Sequence, residues 1–160
     1  MKKIFVSTVI ALLLLIVLAN IAFAAPATAG KELPLKGSIQ SVELYEIDFP
    51  TMFVTASGSG NATQLGRFTV NYEVEVNLLT LVGIDSAQFV AANGDSIFAE
   101  GLGQATETGT PGVVNVVEVY TITGGTGRFA GASGNMTWER VVDTNTGVTS
   151  GTLSGNIVLH

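Results

Sequence analysis

The stretch Tyr120–Gly134, YTITGGTGRFAGASG, decides how the rest of this chain is read. It begins as a strand, because Val116, Val117, Val119, Tyr120, Thr121 and Ile122 are β-branched or aromatic and suit a pleated, packed surface. Gly124-Gly125 then break the run, and Gly127, Gly131 and Gly134 follow. Glycines bunched in this way permit positive φ and close backbone approach, so the chain is expected to turn tightly and leave in a new direction. Phe129 lies inside that turn, where a large apolar side chain is expected to plug one end of a core.

Working outward, the flanking segments also read as strands. Gly66–Val82 is the clearest: Phe68, Val70, Tyr72, Val74, Val76 and Leu78 alternate with Arg67, Thr69, Asn71, Glu73, Glu75 and Asn77. A period of two over that length means one apolar and one wet face. The others fall at Leu35–Ile47, Phe49–Gly60, Ile84–Ala92, Asp95–Thr106, Val113–Thr123, Asn135–Thr144 and Val148–Leu159. Asn93-Gly94, Pro111-Gly112 and Asn145-Thr146-Gly147 supply turns. No helix is expected beyond the N-terminal leader. About eight strands with short turns imply an all-β, up-and-down antiparallel sheet, and eight strands can close into a barrel. Periodicity does not separate that barrel from an open β-sandwich.

Ile122-Thr123-Gly124-Gly125-Thr126-Gly127-Arg128-Phe129, with Gly131-Ala132-Ser133-Gly134, resembles the GGTGxFxxAxG segment of dirigent proteins. It is also similar to the related segment of bacterial proteins with an allene oxide cyclase-like barrel. Ala91-Ala92-Asn93-Gly94-Asp95-Ser96 is similar to the A-N-G-D turn of that secreted bacterial branch. The resemblance spans residues 31–160 and implies a closed, calycin-like barrel of about eight strands. It gives the corner residues Gly124, Gly125, Gly127, Phe129, Gly131 and Gly134 a structural role, and it does not carry the plant families' pocket residues onto this chain.

The chain has 160 residues and therefore room for one domain. With 12% charged and 47% hydrophobic residues, disorder through excess charge is not expected. Lys2-Lys3, the apolar run Ile4–Ala19 and Ala22-Phe23-Ala24 read as a secretory signal peptide over residues 1–24, cleaved after Ala24. Residues 25–34 read as a flexible approach and 35–160 as the barrel domain. An uncleaved membrane anchor is the alternative, because Ile4–Ala25 nearly spans a bilayer. The cleaved reading gives a secreted or periplasmic protein that meets the membrane only during export. The net charge of −6 becomes −8 when Lys2 and Lys3 leave with the leader, so no footprint for nucleic acid exists. There is no cysteine and the one histidine is His160, which excludes disulfides, thiolate metal sites and His-based triads. No metal is expected: Asp85, Asn93 and Asp95 lack the spacing of a calcium loop and read as turn residues. No cofactor is expected either, since Gly124–Gly127 is not followed by Gly-Lys-Ser/Thr or a helix.

What remains is the lumen. If even-numbered residues of the sixth and seventh strands point inward, Glu118, Tyr120, Trp138 and Arg140 enter it together, with Tyr72 from the third. An apolar cavity holding these groups would suit a small apolar ligand, and a buried acid there could donate a proton. In the other reading Glu118 and Arg140 form an outer cross-strand pair and Trp138 only caps the core. Val117 and Val119 make the sixth strand apolar on both faces, which fits either a covering partner subunit or a modest exposed patch on a monomer; the resemblance implies a homodimer or trimer through the outer barrel face. The resemblance implies a dirigent-like module that binds or orients a small molecule. It equally admits a cofactor-independent cyclase or isomerase working by substrate confinement. A structural envelope protein is the third reading.

Overall fold

The structure, a computed structural model, describes residues 30–160. The alternation in the third strand is realised: Phe68, Val70, Tyr72 and Val74 are buried, while Arg67, Thr69, Asn71, Glu73 and Glu75 are exposed. Eight such strands run in chain order as β1 (Lys31–Asp48), β2 (Thr51–Ala62), β3 (Gly66–Asn77), β4 (Val82–Ala91), β5 (Ser96–Glu107), β6 (Val113–Gly125), β7 (Ser133–Asp143) and β8 (Val148–Leu159). Every strand pairs antiparallel with the next, and β8 pairs with β1. The sheet is therefore a closed up-and-down barrel without free edges. The expected leader, residues 1–24, lies outside the described residues, as does most of the expected flexible approach.

Two boundaries depart from expectation. β1 begins at Lys31 rather than Leu35, so Lys31–Pro34 pair with Ile157–Leu159 and Asn156 of β8 instead of forming a loose approach. Pro34 is tolerated because β2 joins β1 only from Gly37 onward. The side on which a proline N–H would be missed is thus unpaired there. β3 ends at Asn77, not Val82. The Asn77 side-chain oxygen accepts hydrogen bonds from the backbone N–H groups of Leu79 and Thr80 at 2.9 and 3.3 Å, closing a turn over Leu78–Leu81.

The glycine-rich corner closes one end. After β6 the chain makes a single 3-10 turn, Gly127–Phe129, that buries Phe129 completely. Gly127 sits at φ 56°, and a β-carbon there would collide with the Asp95 carboxylate. Only glycine fits both constraints. Arg128 stacks on the Phe129 ring at 4.7 Å and donates to the Leu65 carbonyl at 3.2 Å, tying the corner to the β2–β3 turn. Beneath it Leu35, Phe68, Phe89, Ile97 and Ile157 fill the lumen, with the Phe68 and Phe89 rings edge-on at 5.7 Å.

Candidate functional site

Away from that plug, the lumen changes character. Inward positions of five strands bring polar side chains into one buried layer: Ser41 and Glu43 from β1, Tyr72 from β3, Asp85 from β4, Glu118 and Tyr120 from β6, Trp138 and Arg140 from β7. Strand parity explains the gathering. Glu118 is two residues from Tyr120 and Arg140 two from Trp138, so each pair shares a face. Tyr72, Glu118, Tyr120, Trp138 and Arg140 all point into the barrel, and the outer cross-strand arrangement of Glu118 and Arg140 does not occur.

Arg140 is the centre of the layer. Its Nε and Nη2 donate to the two carboxylate oxygens of Glu118 at 2.9 and 2.6 Å, a bidentate pair. Its Nη1 donates to Glu43 Oε1. The guanidinium also lies over the rings of Trp138, at 4.8 Å, and Tyr72, at 5.4 Å. The Tyr72 and Tyr45 hydroxyls donate to the two oxygens of Glu43, each at 2.8 Å, and Ser41 donates to the Tyr72 oxygen at 2.9 Å. Burial holds the phenols of Tyr72 and Tyr45 above their ordinary range, so both remain donors. Burial alone would lower Arg140, but its bonds to Glu118 and the charge of Glu43 outweigh it and keep the guanidinium firmly charged.

Asp85 differs from its neighbours. It is 2% exposed, and neither of its oxygens has a partner among the described residues when both acids are ionised. Burial, then the negative charge of Glu118, push its carboxyl up to about 8, with Arg140 opposing. A protonated Asp85 can donate to Glu118, which adds to the same shift. Room for these two acids comes from β5. A β-carbon at Gly103 would stand 2.8 Å from the Glu118 side chain and 3.3 Å from Asp85 Oδ2.

Beyond the polar layer the lumen opens toward the end carrying the β1–β2, β3–β4, β5–β6 and β7–β8 turns. A cavity of about 390 Å³ lies there, walled by Met52, Val54, Val76, Leu81, Val114 and Val116 among others, with Glu43, Glu118 and Arg140 at its inner end. Ile47, Phe49 and Leu79 expose apolar side chains around the mouth. A larger concavity, about 1040 Å³, lies on the outer wall over Phe53, Glu75, Ile84, Leu102 and Val119. It opens broadly to solvent and, of the buried charged layer, reaches Asp85 but not Glu43, Glu118 or Arg140, so the lumen is the stronger candidate.

Four members of this site escape the sequence reading: Ser41, Glu43, Tyr45 and Asp85. β1 buries Ser41 and Glu43 while exposing Val42 and Leu44, which inverts the usual pattern. Asp85 is not part of a turn with Asn93 and Asp95, as expected, but lies in β4 facing inward with Ala87 and Phe89. That shared parity was the available signal. Asn93 and Asp95 do form the turn: Asn93 donates to Asp95 Oδ2 at 2.7 Å and accepts from the Asp95 N–H at 3.2 Å.

The fold is a closed eight-stranded barrel of the kind found in a dirigent protein. Among solved structures this chain is similar to the pterocarpan synthase dirigent protein GePTS1, with a TM-score of 0.62 over 87% of this chain and 94% of that one, at 12% identity. At that identity the likeness speaks for the fold. No protein-family model matches the chain, and no curated protein matches it either.

Proposed function

We propose that this protein is an exported barrel that binds or orients a small, largely apolar molecule in the open half of its lumen. The observation that carries the reading is the apolar cavity of about 390 Å³ ending on the Glu43–Arg140–Glu118 cluster. Such a chamber has the form of a small-ligand site: apolar walls for affinity and a few fixed polar groups for orientation. The exposed apolar rim of Ile47, Phe49 and Leu79 suits the entry of an apolar guest. The solved dirigent protein with this fold is described as a pterocarpan synthase, which shows that such a barrel can serve a small-molecule transformation. Export is supported by Lys2-Lys3, the apolar run behind them and Ala22-Phe23-Ala24. An outer row of Ile84, Leu102 and Val119, reaching Phe53 across Glu75, supports a homo-oligomer.

One observation favours a second reading, a cofactor-independent cyclase or isomerase. Asp85, pushed up to about 8 beside Glu118, is an acid that holds its proton at neutral pH. Confinement of a flexible substrate next to a proton donor is a sufficient recipe for ring closure. A purely structural role fits less well, because the lumen holds an unfilled cavity of about 390 Å³.

The test is titration with the neutral fluorophore N-phenylnaphthylamine. Saturable binding at one molecule per chain is expected, with at least about tenfold weaker binding in Val116→Trp, whose indole would occupy the chamber. Absence of saturable binding, or equal affinity in a folded variant, would refute the reading.

A further inference from the structure

The inner end of the cavity has an unequal supply of charge. Glu43 and Glu118 line it with Arg140, the buried basic residue among the described ones, and Asp85 is buried next to the wall beside Gly103 and Glu118. Lys31, Lys36, Arg67 and Arg128 are exposed. Even with Asp85 neutral, two carboxylates face one guanidinium, and ionisation of Asp85 makes it three. Most hydrogen-bond donors are also committed. Arg140 directs three of its five N–H groups, one each from Nε, Nη1 and Nη2, to the two glutamates, and the hydroxyls of Tyr45 and Tyr72 are committed to Glu43. The unpartnered Tyr120 hydroxyl and Trp138 Nε1 lie deeper and do not line the cavity. Acceptors, in contrast, remain. Both Asp85 oxygens are without a partner among the described residues, and although Asp85 does not itself line the cavity, Oδ2 lies 3.3 Å from the position a β-carbon on the wall residue Gly103 would take.

We infer that the molecule this cavity selects is a cationic amphiphile, an apolar body carrying a protonated amine whose ammonium faces Glu118 and Glu43, with Asp85 close behind the wall at Gly103. The inference rests on the binding reading proposed above and names its ligand class. An ammonium supplies the positive charge that the layer lacks, and further donors, in a low-dielectric site where pairing counts most. The ring of Tyr45, which lines the cavity, offers a further face to the cation. An anion would meet the excess carboxylates, and a neutral acceptor could use the remaining Arg140 N–H groups but would leave the excess negative charge unanswered.

The groups facing Asp85 give the inference a second consequence. Glu118 and Tyr120 on β6, Arg140 on β7, Glu43 on β1 and Tyr72 on β3 surround the lumen layer. Of these charges, only Arg140 favours Asp85 ionisation. An arriving ammonium adds a second such charge. One cation in should therefore expel up to one proton from Asp85 at neutral pH.

The experiment compares octylammonium, octanol and octanoate by calorimetry, at about pH 7 and salt high enough to screen the acidic surface. Emission from Trp138, the chain's single tryptophan and a neighbour of Arg140, is followed in parallel. Octylammonium should bind one per chain, at least about tenfold tighter than octanol, with octanoate weakest. Its heat should vary with buffer ionisation enthalpy, which reports the released proton. Asp85→Asn should narrow the octylammonium-to-octanol ratio by at least about threefold and abolish the buffer dependence. Octanol binding as tightly as octylammonium would overturn the cationic inference while leaving the apolar-cavity reading standing. Failure of all three probes to bind would refute both. Should the variant not fold, the buffer dependence of the natural protein decides: no proton release refutes the Asp85 part.

Discussion

Replacing Asp85 by Asn should make the barrel more stable, and increasingly so as pH rises. The carboxyl is pushed from 3.8 to about 8, first by burial and then by Glu118. Between those values the folded chain holds a proton that the unfolded chain releases. A group raised in this way favours folding fully below its unfolded value, and that contribution is lost as pH climbs toward the folded one. Each pH unit in that window removes about 1.4 kcal/mol of stability. From about pH 5 to about pH 8 the natural protein should lose on the order of 4 kcal/mol through this group. Asparagine is nearly isosteric, stays neutral throughout, and can still donate to Glu118. Titrations of groups remote from Asp85 are common to both proteins and cancel in the difference. Urea unfolding followed by Trp138 emission, repeated across that range, gives the two stability curves. The gap between them should widen by roughly 4 kcal/mol as the pH rises. Parallel curves would refute the reasoning, because Asp85 would then titrate alike in folded and unfolded chains.

Three further outcomes follow from the same geometry. Arg140→Met leaves Glu43 and Glu118 buried without their cation and should cost about 3–5 kcal/mol near neutral pH, read by urea unfolding. The loss should shrink in acid, where the carboxyls can protonate. Phe129→Ala opens the plugged end and should cost about 3–5 kcal/mol in the same assay. It should leave N-phenylnaphthylamine affinity within about twofold, because the cavity lies at the other end. Leu102→Asp places a charge in the outer row of Ile84, Leu102 and Val119. Sedimentation velocity should show a smaller species than the natural protein, and an unchanged mass would remove that row from any interface.

The architecture was legible wherever apolar and polar residues alternate simply. β3 is the clearest case, and the glycine corner with Phe129 marks the closed end. The β3–β4 turn was not legible, because Leu78, Leu79 and Leu81 prolong an apolar pattern while the turn depends on one Asn77 side chain. The same limit governs the site. Glu118 and Arg140 could be placed by parity with Tyr120 and Trp138. Glu43 could not, since β1 turns Val42 and Leu44 outward and acids inward. The inward glycines of β5 look like weak strand residues until the partners they make room for are seen. Gly101 clears space for the Tyr120 ring, and Gly103 for Glu118 and Asp85. A buried polar layer of this kind is specified by pairing across several strands, which no local pattern encodes.

The most direct measurement is a set of amide and indole NMR spectra recorded while N-phenylnaphthylamine is added. A guest in the open half of the lumen should shift Gly83, Gly103, Val114, Val116 and the Trp138 indole, and leave Phe68, Phe89 and Phe129 at the plugged end in place. Shifts confined to the outer wall around Ile84 and Leu102, or none at saturating probe, would contradict the account.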